Sequence, residues 1–267
     1  MKILASRREI TYEDYVESGL FNEAQLAAIQ IGFDEELSPK EIMVFAQPEY
    51  SSDQMAEIRE GIFHGLSIRD VMLYANPEFN ADQMFIIRDD LEDHVAPFDT
   101  IALYARPEFD VETMEMLHQA AVASIPHEHI KTIIAHNFSK PVLEVMLEDL
   151  IDWAIEFNNA IDFGDYVEEN VAPKYSNMSG YFDFLDGVIF IFCTFNRDNP
   201  LREVALDICL APEFGPGYHL NKYQITELVV ALDCGVPEDI VRSYAKPEFS
   251  EKFVHMGLKD YMNNHGL

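Results

Sequence analysis

Apolar and polar positions alternate along this chain with a helical rhythm, and the rhythm itself repeats. Three runs carry the same spacing: Gln25-Leu26-x-x-Ile29, Gln54-Met55-x-x-Ile58-Arg59-x-Gly61-Ile62 and Gln83-Met84-x-x-Ile87-Arg88-x-x-Leu91. Apolar residues at i, i+3 and i+7 place one stripe on one helix face. A short polar cap precedes each run, as in Phe79-Asn80-Ala81-Asp82, and a break carrying Gly or Pro follows, at Gly65, Pro97, Pro126 and Gly235. A second, shorter run then ends in a Tyr-Ala pair, as in Ile68-x-x-Val71-x-x-Tyr74-Ala75. Proline two residues beyond the Ala stops that helix, because it has no N–H to donate and pushes its predecessor out of the α region.

The closing string recurs as Phe45-Ala46-Gln47-Pro48-Glu49-Tyr50, Tyr74-Ala75-Asn76-Pro77-Glu78-Phe79, Tyr104-Ala105-Arg106-Pro107-Glu108-Phe109 and Tyr244-Ala245-Lys246-Pro247-Glu248-Phe249. A shortened copy is Leu210-Ala211-Pro212-Glu213-Phe214; degenerate copies are Ile134-Ala135-His136-Asn137-Phe138 and Val171-Ala172-Pro173-Lys174-Tyr175. With Phe21 added, the closing aromatics stand at 21, 50, 79, 109, 138, 175, 214 and 249, in steps of 29, 29, 30, 29, 37, 39 and 35. A two-helix unit of this size cannot bury its apolar face alone, so the period predicts an all-α chain, an α-solenoid of about eight tandem helical hairpins. The expected organisation is an N-terminal cap over 1–20, regular repeats over 21–138, inserted acidic degenerate repeats over 139–214, and a C-terminal repeat and cap over 215–267. The aromatics and Met55, Met84, Met114 and Met146 read as packing residues. One stretch, Tyr181 to Phe192, holds an Asp-Gly pair between apolar runs, which leaves a short β-hairpin near 181–192 open; a fully buried helix is the preferred reading.

Charge narrows the function. Lys plus Arg number 18 against 48 Asp plus Glu, a formal charge of −30. That excludes direct nucleic-acid binding by a basic patch and adsorption to anionic membranes. With 48% hydrophobic residues the chain is nonetheless composed to fold. Its longest apolar run, Val188–Phe195, is too short to span a bilayer, the N-terminus shows no signal-peptide core, and three scattered cysteines fit a reducing, cytoplasmic setting.

No Lys or Arg occurs from Pro141 to Pro173, where Glu144, Glu148, Asp149, Asp152, Glu156, Asp162, Asp165, Glu168 and Glu169 lie. Glu144, Glu148, Asp152 and Glu156 fall four apart, a like-charge column on the face of a helix whose other face carries Leu143, Met146, Leu147, Leu150, Ile151 and Ala154. The column reads as a solvated face, as a surface shaped for a basic partner, or as a cation site. Glu49, Glu78, Glu108, Glu213 and Glu248 hold one position in their units and predict a second acidic stripe, compatible with a role near helix N-termini. Enzyme signatures are missing: there is no phosphate loop, dinucleotide fingerprint or nucleophile elbow, and Phe214-Gly215-Pro216-Gly217 is a proline turn. His127-Glu128-His129 lacks the spacing of a zinc helix and is expected to open a helix, while His64, His94, His118 and His136 have no companion constellation. No cofactor, metal or catalytic residue is expected.

The pattern Q-M-x-x-I-R followed by Y-A-x-P-E-F, carried here by Gln54, Met55, Ile58, Arg59, Gly61, Tyr74, Ala75, Pro77, Glu78 and Phe79 and again by Gln83, Met84, Ile87, Arg88, Tyr104, Ala105, Pro107, Glu108 and Phe109, resembles helical repeats of uncharacterised proteins from mobile elements and phages of gut bacteria. The resemblance covers about Phe21–Phe138 and returns near Tyr244–Phe249. It implies no activity, but it implies a setting in which small acidic proteins inhibit host defence or restriction systems, some as nucleic-acid mimics. The expected function is therefore an acidic protein-binding scaffold that occupies a basic nucleic-acid-binding surface of a defence enzyme. The alternatives are a general peptide- or subunit-binding scaffold with charge for solubility only, and a carboxylate-metal hydrolase.

Overall fold

The structure, a computed structural model, describes residues 10–152, 155–211 and 219–267. Among the described residues every regular element is helical and none is a strand. In chain order these are α1 Tyr12–Ser18, α2 Glu23–Asp34, α3 Pro39–Phe45, α4 Ser52–Phe63, α5 Ile68–Val71, α6 Ala81–Glu92, α7 Phe98–Tyr104, α8 Val111–Val122, α9 His127–His136, α10 Lys140–Asp152, α11 Phe157–Tyr166, a π-helical turn Val167–Val171, α12 Ala172–Tyr175, α13 Tyr181–Thr194, α14 Pro200–Cys209, α15 Lys222–Asp233, α16 Glu238–Tyr244 and α17 Glu251–His265. The chain divides into two compact units, Met1–Lys131 and Thr132–Leu267.

In the first unit the longer helices α2, α4, α6 and α8 pack one on the next, each followed by a short helix or loop return. Both ends of each long helix are specified locally. Asn22, Ser51 and Asn80 cap α2, α4 and α6, each accepting a hydrogen bond from the backbone N–H of a glutamine three residues on, while that glutamine's Oε1 accepts from the cap's own N–H. At the other end, Glu36, Gly65, His94 and Ser124 all adopt positive φ, between 54° and 95°. The next N–H in each case, of Leu37, Leu66, Val95 or Ile125, donates back to the carbonyl of Gly32, Gly61, Asp90 or Ala120. This is a Schellman closure with an apolar residue after it, and it is the break seen in the sequence.

The repeated glutamine joins neighbouring layers as well as capping its own helix. Gln25 Nε2 donates to the carbonyls of Pro48 at 3.2 Å and Tyr50 at 2.6 Å, just before α4 begins. Gln54 does the same to Pro77 and Phe79, and Gln83 to Pro107 and Phe109. In the second unit Gln224 donates to Lys246 and Phe249. Each of these glutamines is buried, so the bonds satisfy groups that water does not reach. Tyr50 and Phe79 fill the gap between layers, and Tyr50 Oη donates to the Ala75 carbonyl at 2.7 Å. Met55, Met84, Met114 and Met146 are fully buried, as expected.

The second unit is built around α13, which packs on α10, α11, α14 and α15, while α15 packs on α17. Residues 181–192 are a helix, so the β-hairpin left open by the sequence does not form. Gly187 serves a close crossing instead of a turn: a Cβ there would lie 2.5 Å from Ile225 Cδ1 and 3.1 Å from the Lys222 Cα. Phe184, Leu185, Val188, Ile189, Ile191 and Phe192 are buried around it. The degenerate copy around Pro173 also departs from expectation. It does not stop a helix; the chain stays helical through the π turn into α12, with Pro173 in the first turn of α12. The widened π turn precedes the proline whose ring would clash in a continuous α-helix. The Pro212-Glu213-Phe214 part of the shortened copy, the turn Phe214–Gly217 and Ala154 lie outside the described residues.

Candidate protein-binding surface

Helix α10 carries the acidic column only in part. Glu148 and Asp152 are exposed one turn apart and Glu144 is half-buried. Glu156 is exposed but does not continue the column: α10 ends at Asp152, and Glu156 occupies the N-cap position of α11 without capping it through its side chain. Asp165 and Glu169 are exposed as well. Two of the other acids are engaged internally. Asp162 pairs with Arg197 at 3.5 Å and Arg202 at 3.6 Å, and Glu168 accepts the N–H of Ser139 next to the start of α10.

Asp149 is the main departure within this group. It is 6% exposed and its Oδ2 takes no hydrogen bond among the described residues, so it belongs to the core side of α10. Burial pushes its carboxyl up to about 7, with the charges of Asp186, Glu148 and Asp152 adding to the effect and Lys222 opposing it. Glu148 is shifted upward as well, by burial first and then by Glu144, Asp186 and Asp152. The sequence reading missed Asp186, Asp183 and Lys222. Lys222 Nζ lies 2.7 Å from Asp186 and 3.4 Å from Asp183, so the cation nearest this acidic group is already engaged. Their signal was available once Asp183 and Asp186 were read as one helix face at i, i+3, instead of as part of a turn.

The repeated glutamates Glu49, Glu78 and Glu108 are all exposed in the turns that lead into α4, α6 and α8, and Glu248 is exposed ahead of α17. They do not cap those helices. Ser51, Asn80, Asp110 and Ser250, two residues further on, supply the capping oxygens. The glutamates thus stand clear of the first turn as solvent-facing charges. Glu213 lies outside the described residues.

The first unit holds a second set of charges that periodicity did not expose. Arg59 and Arg88, both buried, reach back from one long helix to the preceding one: Arg59 to Glu35, and Arg88 to Glu57 at 2.9 Å and Glu60 at 3.5 Å, with Glu92 of its own helix at 3.0 Å. His118, read from the sequence as a residue without companions, has two in line. Its Nδ1 is 2.6 Å from Asp90 Oδ1, and the other Asp90 oxygen accepts the Tyr104 hydroxyl. Asp90 is fully buried, and burial raises its carboxyl above the ordinary range while Tyr104 and His118 pull it back. His127 opens α9, where its Nδ1 is 3.2 Å from Thr100 Oγ1, and Glu128 pairs with Lys131 at 3.3 Å.

Among the described residues no group of three or more His, Cys, Asp or Glu is gathered so as to hold a metal ion, and no helix is long and apolar enough to cross a membrane. Comparison with known proteins returns no match to a family model, to a curated protein or to a solved structure.

Proposed function

We propose that this chain is a non-enzymatic α-solenoid that binds another protein through its acidic surface, as a cytoplasmic inhibitor that occupies the basic nucleic-acid-binding surface of a bacterial defence enzyme, of the anti-restriction or anti-CRISPR kind. The successive packing of α2, α4, α6 and α8 supports the solenoid. The observation that carries the function is the exposed pair Glu148 and Asp152 on α10, backed by Asp149 and Asp186, with Lys222 already held by Asp183 and Asp186. A surface of this kind projects negative potential that steers a cationic partner and repels other acids. The test is retention of a nuclease partner from bacterial lysate on the immobilised full chain at roughly 50 and 500 mM salt. Retention should fall steeply at the higher salt, and the double change Glu148→Lys, Asp152→Lys should lower it at least about tenfold at the lower. Retention indifferent to both salt and charge reversal would sink the proposal.

A second reading, a scaffold that grips a peptide or subunit with charge serving solubility, is favoured by apolar side chains left exposed on the long helices. Phe63, Phe85 and Val122 are each about half exposed on α4, α6 and α8. In that case the reversal at Glu148 and Asp152 leaves binding intact and polar replacement of Phe63 or Phe85 abolishes it.

A further inference from the structure

Two successive joints of the first unit are closed by a guanidinium. Arg59 in α4 and Arg88 in α6 hold the same register position, 29 residues apart, and each reaches back one layer, Arg59 to Glu35 at the C-cap of α2 and Arg88 to Glu57 and Glu60 of α4. The third joint, between α6 and α8, keeps the acid and omits the arginine. His118 stands 30 residues after Arg88, in the same register, and Asp89 stands 29 after Glu60. The imidazole is too short to bridge as Arg88 does and turns to Asp90 instead, where the two earlier layers have Gly32 and Gly61. Asp89 and Glu115, one from each helix, make no side-chain ion pair or hydrogen bond among the described residues. A cleft of about 400 Å³ remains between α6 and α8, lined by Phe85, Ile86, Asp89, Asp90, Glu115 and His118.

We infer that this cleft takes an arginine side chain from a protein partner, in the place where the two earlier joints use their own. The chemistry of the lining matches that residue. Asp89 and Glu115 offer carboxylates to the forked N–H donors of a guanidinium. Phe85 is 47% exposed and offers its ring to a flat cation, as it already does to Arg88, whose Cζ is 5.2 Å from the ring centre. In the neutral imidazole, the Asp90 carboxylate holds the proton on Nδ1, and the Nε2 lone pair is then the atom that accepts from a guanidinium. The Tyr104 hydroxyl holds Asp90 from behind and orients the pair. A lysine ammonium is a point charge on a flexible stem and lacks the planar fork of donors that engages two carboxylates at once. That the arginine comes from a protein rests on the function proposed above; the chemistry of the cleft does not depend on the acids of α10.

The experiment is an NMR titration of the isotope-labelled full chain with acetyl-Gly-Arg-Gly-amide and, separately, acetyl-Gly-Lys-Gly-amide at low salt. The His118 imidazole and Phe85 ring signals should move saturably with the arginine peptide, with a Kd on the order of 1 mM, and at least about fivefold more weakly with the lysine peptide. Asp89→Asn with Glu115→Gln should weaken the arginine peptide about tenfold or more. His118→Arg should abolish its binding, because the side chain then fills the cleft from within; the same variant should keep its helical signal, since it restores the residue of the two earlier joints. The inference is overturned if the His118→Arg protein binds the peptide as the native protein does, or if the two peptides bind alike with shifts as large on α10 as at His118. Because the peptide reads only the cleft and the Glu148 and Asp152 reversal reads only α10, either proposal can fail without the other.

Discussion

Tyr74 and Tyr104 hold the same place in consecutive layers, and both rings are fully buried, yet their hydroxyls have opposite fates. The Tyr104 hydroxyl donates to Asp90, whereas the Tyr74 hydroxyl has no hydrogen-bond partner among the described residues and crowds Gly61, where a Cβ would lie 2.0 Å away. Removing a hydroxyl that has lost its water and gained no partner is nearly neutral, while removing one of two donors from a buried carboxylate is not. Tyr74→Phe should therefore stay within about 0.5 kcal/mol of the native protein in urea unfolding, and Tyr104→Phe should cost about 1–3 kcal/mol. The chain itself carries Phe45 at this position one layer earlier. Asp149 gives a second test at this scale. Its folded carboxyl titrates at about 7 against an ordinary 3.8, so between those pH values the folded state holds a proton that the unfolded state has lost. Stability from this group therefore falls as pH rises from about 4 to about 7 and is flat beyond, by a few kcal/mol in all. Asp149→Asn should raise the melting temperature at pH 8, by less than about half as much at pH 5, and hardly at all near pH 3; an equal effect at pH 8 and pH 3 would contradict the assignment.

At the scale of the element, the ends of the helices explain why the period is so strict in the first unit. The positive-φ residue after each long helix recurs at 36, 65, 94 and 124, but only one of these four is glycine. The left-handed conformation costs a side-chain-bearing residue about 1 kcal/mol relative to glycine. Ser124 is exposed, so Ser124→Gly should raise the urea midpoint by an amount equivalent to about 0.5–1 kcal/mol. This level was readable from the sequence to a large degree. The aromatic ladder, the Gly and Pro breaks and the polar caps are short-range signals, and in the first unit each gave the element it predicted, whereas Pro173 in the second did not end its helix. The failures came where a local signal had a distant cause. Asp186-Gly187 resembles a turn, and only the approach of Ile225 and Lys222, nearly 40 residues on, explains the glycine. The α10 column stops at Asp152, before the Glu156 that the four-residue spacing would include. Side chains that meet one layer apart, such as Gln54 with Phe79, Arg88 with Glu57 or His118 with Asp90, are invisible to a periodicity search along one helix. Aligning the layers would have shown the last pair, since Gly61 gives way to Asp90 and Arg88 to His118 at matching positions.

For the whole molecule, a formal charge of −30 sets the response to salt. Among the described residues Glu49, Glu78, Glu108, Glu148, Asp152 and Asp165 are exposed and make no ion pair, so the folded chain concentrates repulsion that counterions relieve. The melting temperature should rise by roughly 3–8 °C as ionic strength increases from about 10 mM to about 500 mM, the reverse of a protein held together by surface ion pairs. The buried glutamines have a consequence of another kind. Gln25 draws its acceptors from Pro48 and Tyr50, which precede Ser51, and Gln83 draws its own from Pro107 and Phe109. Excising residues 51–79 would thus join Tyr50 to Asn80, a natural helix cap, with every remaining glutamine still beside its carbonyls. The hydrogen-bonded layer and the 29-residue segment of chain coincide, so in-frame duplication or loss of one layer leaves each remaining glutamine with its carbonyls, and a lineage can lengthen or shorten this protein by whole layers.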